Sequence, residues 1–178
     1  GVDPNGAGEF GETALSGAAR MGHEKVVRYL VAKGADLEMS DDRGITPLMS
    51  AAKNCSIGSA LEILSHLRKG AASQVSQDKQ SALYFAIEAE CPVLVKALLA
   101  TGEVRTSDAD HSGYSLLEIS RAWTNLDLDG PAAEVYSLMK EQAERESGRL
   151  QKEETGSKMT GPKERSKKGE PKELPVIP

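Results

Sequence analysis

The chain has 178 residues, enough for one domain and an appendage. Hydrophobic residues make up 39% and aromatic ones only 4%, so a core must rest on Leu, Val, Ile and Ala in closely packed small helices. Net charge is −5, but residues 149–178 hold 8 Lys/Arg against 5 Asp/Glu, leaving 14 basic and 22 acidic residues before them. An acidic body with a mildly basic tail argues against a nucleic-acid-binding body. No apolar run approaches the roughly 18 residues of a membrane-spanning helix, and no secretory signal pattern is visible.

In chain order, four segments line up: Gly11-Glu-Thr-Ala-Leu-Ser-Gly-Ala-Ala, Gly44-Ile-Thr-Pro-Leu-Met-Ser-Ala-Ala, Lys79-Gln-Ser-Ala-Leu-Tyr-Phe-Ala-Ile and Gly113-Tyr-Ser-Leu-Leu-Glu-Ile-Ser-Arg. Their starts are 33, 35 and 34 residues apart. Each places Thr or Ser two residues after the start, where a hydroxyl caps a helix by accepting from an unpaired backbone N–H. Pro47 follows such a cap at the first helical position, where its missing N–H costs nothing. A second helix is expected after each first one, from the apolar pairs in Val26–Val31 and Leu94–Leu99. Gly34 and Gly102 then end these helices in left-handed conformation. The pairs Ala18-Ala19 and Ala51-Ala52 allow neighbouring helices to approach closely.

The unit G-x-T-P-L-x-x-A-A-x-x-G-H-x-x-V-V-x-x-L-x-x-x-G-A-D resembles the ankyrin repeat. The first unit matches almost throughout, from Gly11 to Asp36, including Gly22-His23. The second matches at its start, with two or three extra residues expected around Asn54 to Ser59. The third has Lys79 for the opening glycine. The fourth has Leu116 for proline and Ser120-Arg121 for the alanine pair, and is the poorest. The resemblance implies an all-α solenoid of about four helix-pair repeats with connecting β-hairpin loops over residues 1–147. Hairpins are expected near Asp36–Gly44, Ala71–Gln80 and Glu103–Gly113. The expected buried positions are Leu15, Val27, Leu30, Leu48, Ile63, Leu83, Val95 and Leu98.

Gly1-Val-Asp-Pro-Asn resembles Gly34-Ala-Asp-Leu-Glu, the end of a repeat. Either this is a trimmed or processed piece, or something else covers that end of the stack, because an array needs polar outer caps. A closing helix is expected from Pro131 to Arg145, with Val135, Leu138 and Met139 as its apolar stripe. From about Ser147 the repeat pattern stops, and residues 148–178 read as a charged tail, disordered or partner-bound. Within it, Lys163-Glu-Arg-Ser-Lys-Lys reads as a solvated linker or as a site for acidic partners. Leu174, Val176 and Ile177 read as a docking peptide or as an ordinary terminus.

Candidate chemistry is sparse. His23, His66 and His111 fall in different repeats, so no metal cluster is expected. Cys55 and Cys91 show no metal or disulfide-framework spacing and are expected as free thiols of a reducing compartment. No cofactor, phosphate loop or catalytic constellation is expected, and the chain is read as no enzyme. The resemblance implies a protein-binding module, adaptor or scaffold, gripping its partner on the concave face. The alternative is a structural subunit of a large complex, held through the open repeat end and the tail. The positions that would choose the partner are Glu9, Phe10, Glu12, Arg20 and Met21; Asp42, Arg43, Ile45, Lys53 and Asn54; Gln77, Asp78, Gln80 and Glu88; and His111, Ser112, Tyr114 and Trp123. To these the tail adds Leu174, Val176 and Ile177. The expected compartment is intracellular, cytoplasmic or nuclear, or an organelle after N-terminal processing.

Overall fold

The computed structural model describes residues 3–110, 112–124 and 130–158. Among them are eight α-helices: α1 (Ala14–Arg20), α2 (Glu24–Ala32), α3 (Pro47–Lys53), α4 (Ile57–His66), α5 (Ala82–Glu88), α6 (Pro92–Ala100), α7 (Leu116–Thr124) and α8 (Pro131–Lys158). Single turns of tighter helix lie at Glu9–Gly11 and Ala71–Ser73. Isolated antiparallel bridges, Ala7 to Thr13, Val75 to Ser81 and Ala109 to Ser115, pin three of the loops that lead into first helices. Contacts divide the chain into two units, Gly1–Glu146 and Ser147–Pro178.

The first helices begin as the hydroxyl pattern requires. Thr13, Thr46 and Ser81 accept from the N–H of Ser16, Met49 and Tyr84 respectively. Ser115 goes further: its Oγ accepts from Glu118 N at 3.3 Å, while its own N–H and Oγ–H donate to Glu118 Oε2 at 2.8 and 2.7 Å. This is a reciprocal capping box. Those two donors hold the Glu118 carboxyl below the usual carboxylate range.

First helices pack on first helices, α1 on α3, α3 on α5 and α5 on α7; second helices do the same, α2 on α4 and α4 on α6. The alanine pairs are the contact: Ala19, Ala51, Ala52 and Ala86 are fully buried. Leu15, Val27, Leu48, Ile63, Leu83, Val95 and Leu98 are buried with them in one continuous core. Leu30 departs from expectation and is only half-buried. Its equivalents Ile63 and Leu98 are covered by the preceding helix pair, and Leu30 has no such pair over it among the described residues.

The extra residues of the second repeat also lie elsewhere than expected. Helices α1 and α2, α3 and α4, and α5 and α6 start at the same separation (Ala14 and Glu24, Pro47 and Ile57, Ala82 and Pro92). The turn at Asn54–Ser56 is therefore of ordinary length. The insertion falls after α4, which has 10 residues where α2 has 9 and is followed by Leu67–Gly70. The chain tolerates the missing glycine at the α3–α4 turn by holding Cys55 itself at φ 48°, as it holds Glu90 at φ 48° and Gly22 at φ 70° in the same place.

Helix α8 begins at Pro131 and buries Ala132, Val135 and Met139, with Leu138 half-buried. It runs past Arg145 to Lys158. Arg, Gln, Lys and Glu in this stretch are good helix formers, so the backbone continues after the apolar stripe has ended. Near that point Glu146 Oε2 accepts from Thr106 Oγ1 at 2.8 Å and Thr106 N at 3.3 Å.

The two cysteines are not free. Cys55 and Cys91 form a disulfide with their Cα atoms 5.7 Å apart. Spacing alone hid this pair, because the residues are 36 apart and occupy adjacent, non-equivalent turn positions. Cys55 is the left-handed residue of one turn, and Cys91 is the cap of α6 in the next. No described helix is long and apolar enough to cross a membrane.

Candidate functional site

Loop tips and first helices together form one face of the unit. The tips are stacked by the backbone: Asp42 N donates to Phe10 O at 3.0 Å and Gln77 N to Arg43 O at 3.0 Å. Gln77 Nε2 adds a bond to Asp42 O at 2.7 Å. This stacking is why the opening residue is glycine at 44: a Cβ there would lie 3.1 Å from Gln77 N and 3.2 Å from Ser76 Cα. The three later tips are also braced by a side chain three residues before the opening position, where the first tip has Gly8. Asp41 Oδ1 accepts from the N–H of Arg43 and Ile45, and Asp110 Oδ1 from those of Ser112 and Tyr114. Ser76 Oγ accepts from Gln80 N. The sequence reading missed Asp41, and its signal is the Asp-x-x-Gly spacing that recurs at Asp110.

The described candidate residues fall into two groups. The first surrounds a cleft of about 490 Å³ between the first two tips, lined by Phe10, Glu12, Arg20, Arg43 and Ile45 together with Asp42. Glu9, Asp41 and the buried Ser16 and Ser50 complete it. Glu12 pairs with Arg20 at 3.0 Å and Asp41 with Arg43 at 3.1 Å. Phe10 is 72% exposed and Ile45 half-buried. The second group lies outside the cleft. Met21 and Tyr114 are each 61% exposed, Asp78 and Glu88 are exposed, and Gln80 is half-buried. Lys53 Nζ sits 5.6 Å from the centroid of the buried Phe85 ring. Asn54 Nδ2 donates to Arg20 O at 2.9 Å, so it serves the stack itself. His111, the Trp123 side chain, Leu174, Val176 and Ile177 lie outside the described residues.

One titrating group on α5 is perturbed. Burial pushes the Tyr84 phenol up, and the neighbouring Glu88 charge adds to it. Among the described residues no cluster of three or more His, Cys, Asp or Glu is placed to hold a metal.

Helix pairs at this spacing, capped by Thr or Ser and joined by stacked tips, match the family model for ankyrin repeats (three copies) over residues 1–72. An ankyrin repeat-containing protein of Schizosaccharomyces pombe is 24% identical over 145 residues, which are 81% of this chain and 69% of that protein. Residues 1–72 are thus similar to ankyrin repeats. Ankyrin repeats are generally protein–protein interaction modules and typically non-enzymatic, and they imply protein partners. In this chain the large exposed side chains Phe10, Met21 and Tyr114 sit on or beside the tips and first helices.

Proposed function

We propose that this chain is a non-catalytic adaptor or scaffold that grips a partner protein on the face made by its loop tips and first helices. The exposure of Phe10, Met21 and Tyr114 there carries the reading, at 72%, 61% and 61%. The core does not need these side chains, and large groups of this kind anchor interfaces. The experiment uses the intact chain as bait with chemical crosslinking, read by mass spectrometry, against a Phe10→Ala/Tyr114→Ala variant. A partner crosslinked to this face is expected, and it is lost from the variant at an unchanged unfolding midpoint. Equal capture by both proteins sinks the reading.

A further inference from the structure

We infer that the cleft between the first two loop tips takes a segment of a partner protein that presents an arginine or lysine beside an aliphatic side chain. The inference rests on the binding reading above and specifies its partner. The first argument is charge. The cleft is lined by four carboxylates, of Glu9, Glu12, Asp41 and Asp42, and by two guanidinium groups, of Arg20 and Arg43. Both arginines are already engaged, with Glu12 and Asp41. Asp41 is further committed to its turn by two backbone N–H groups. That leaves Glu9 and Asp42, and among the described residues neither carboxylate has a hydrogen bond or ion pair. An anionic segment would meet this surplus as repulsion, and a basic one would neutralise it.

The second argument is shape. The floor of the cleft holds Ser50, whose equivalent in the third repeat is Phe85. There the side chain is a buried ring with the chain's own Lys53 over it, Nζ 5.6 Å from its centroid. Between the first two tips the small serine leaves the space open, and the aromatic ring stands at the rim as Phe10. A basic side chain entering from a partner can lay its methylenes along Phe10 and Ile45 and carry its charge to Glu9 and Asp42. A free cation would leave the Phe10 ring in water, so the occupant is a peptide segment with an aliphatic neighbour to cover it.

The test pans a displayed library of short random peptides on the full chain, with a Glu9→Lys/Asp42→Lys variant as the comparison. Enriched peptides are expected to carry Arg or Lys next to Leu, Ile, Val or Met. A synthetic copy of the most enriched peptide should bind the charge-reversed variant on the order of tenfold or more weakly, since opposed charges become like charges. It should also bind more weakly to Phe10→Ala and at high salt. Circular dichroism and unfolding midpoints verify that each variant is folded. Enriched peptides without a basic residue, or equal binding to the charge-reversed variant, overturn the inference. If such peptides still lose binding on Phe10→Ala, the protein-binding reading stands and only the partner chemistry falls. Failure to enrich any peptide overturns both.

Discussion

At the scale of single residues, the repeat asks for backbone conformations that only some side chains adopt without cost. The opening position is left-handed in all four repeats, at φ 76°, 79°, 57° and 83° for Gly11, Gly44, Lys79 and Gly113. A side chain in this region costs about 1–2 kcal/mol, partly offset by the lower chain entropy that a non-glycine residue loses on folding. Lys79→Gly should therefore raise stability by about 0.5–1 kcal/mol, measured by denaturant unfolding. A loss of stability would mean that Lys79 makes a contact outweighing its strain. A second residue-scale effect is electrostatic. Arg68 donates two hydrogen bonds of 2.7 Å to Glu38, and this, ahead of the Gln74 bond, holds the Glu38 carboxyl below the usual carboxylate range. Because the folded pKa is depressed, the pair stabilises the fold above the ordinary carboxylate pKa. That contribution is lost as pH falls through the depressed value. Arg68→Ala should move the Glu38 titration upward by NMR and remove this part of the acid sensitivity. An unmoved titration would show that the guanidinium is not the cause.

At the scale of elements, the helices were legible and the links between them less so. Thr13, Thr46 and Ser81 marked helix starts because a cap is a local property, satisfied within three residues. The insertion was misplaced because Leu67–Gly70, the segment after α4, carries no motif that fixes its length, whereas the turn at Cys55 looks irregular in letters and is regular in conformation. The disulfide was invisible for a related reason: pairing Cys55 with Cys91 depends on how far one repeat is offset from the next, which a linear spacing does not encode. Joining residues 36 apart removes freedom from the unfolded chain, worth about 2–4 kcal/mol for loops of this size. Cys55→Ser and Cys91→Ser should each lower stability by about that amount, and reductant should do the same to the native chain but not to the variants. Equal sensitivity of variant and native protein to reductant would show that the bond is not what reductant breaks. Of the candidate site, Phe10, Glu12, Arg20, Asp42, Arg43 and Ile45 were reachable from the family pattern and converge on one cleft. Asp41 was not, because its carboxylate serves the turn and the cleft wall at once.

At the scale of the unit Gly1–Glu146, each helix pair contacts mainly its neighbours, as the packing of α1 on α3, α3 on α5 and α5 on α7 shows. Stability in such an array is close to a sum of repeat and interface contributions, so damage at one end need not reach the other. Met139 tests this. It is fully buried on α8 and shares the core with Val135 and Leu116, far along the chain from the cleft between the first two tips. Met139→Ala should cost about 2–5 kcal/mol at the C-terminal end of the array, from lost burial and the cavity left behind. Native-state hydrogen exchange should then quicken at amides of α7 and the first turns of α8, while those of α1 and α3 keep their protection. Peptide binding at the Phe10–Asp42 cleft should be unchanged, since its walls belong to the first two repeats. Were exchange to quicken equally in α1 and α3, the array would be unfolding as one cooperative block. Binding would then fall with every core substitution, wherever it lies. Local loss at α7 and α8 with intact binding is the outcome expected of a stack whose recognition face is held by the repeats that carry it.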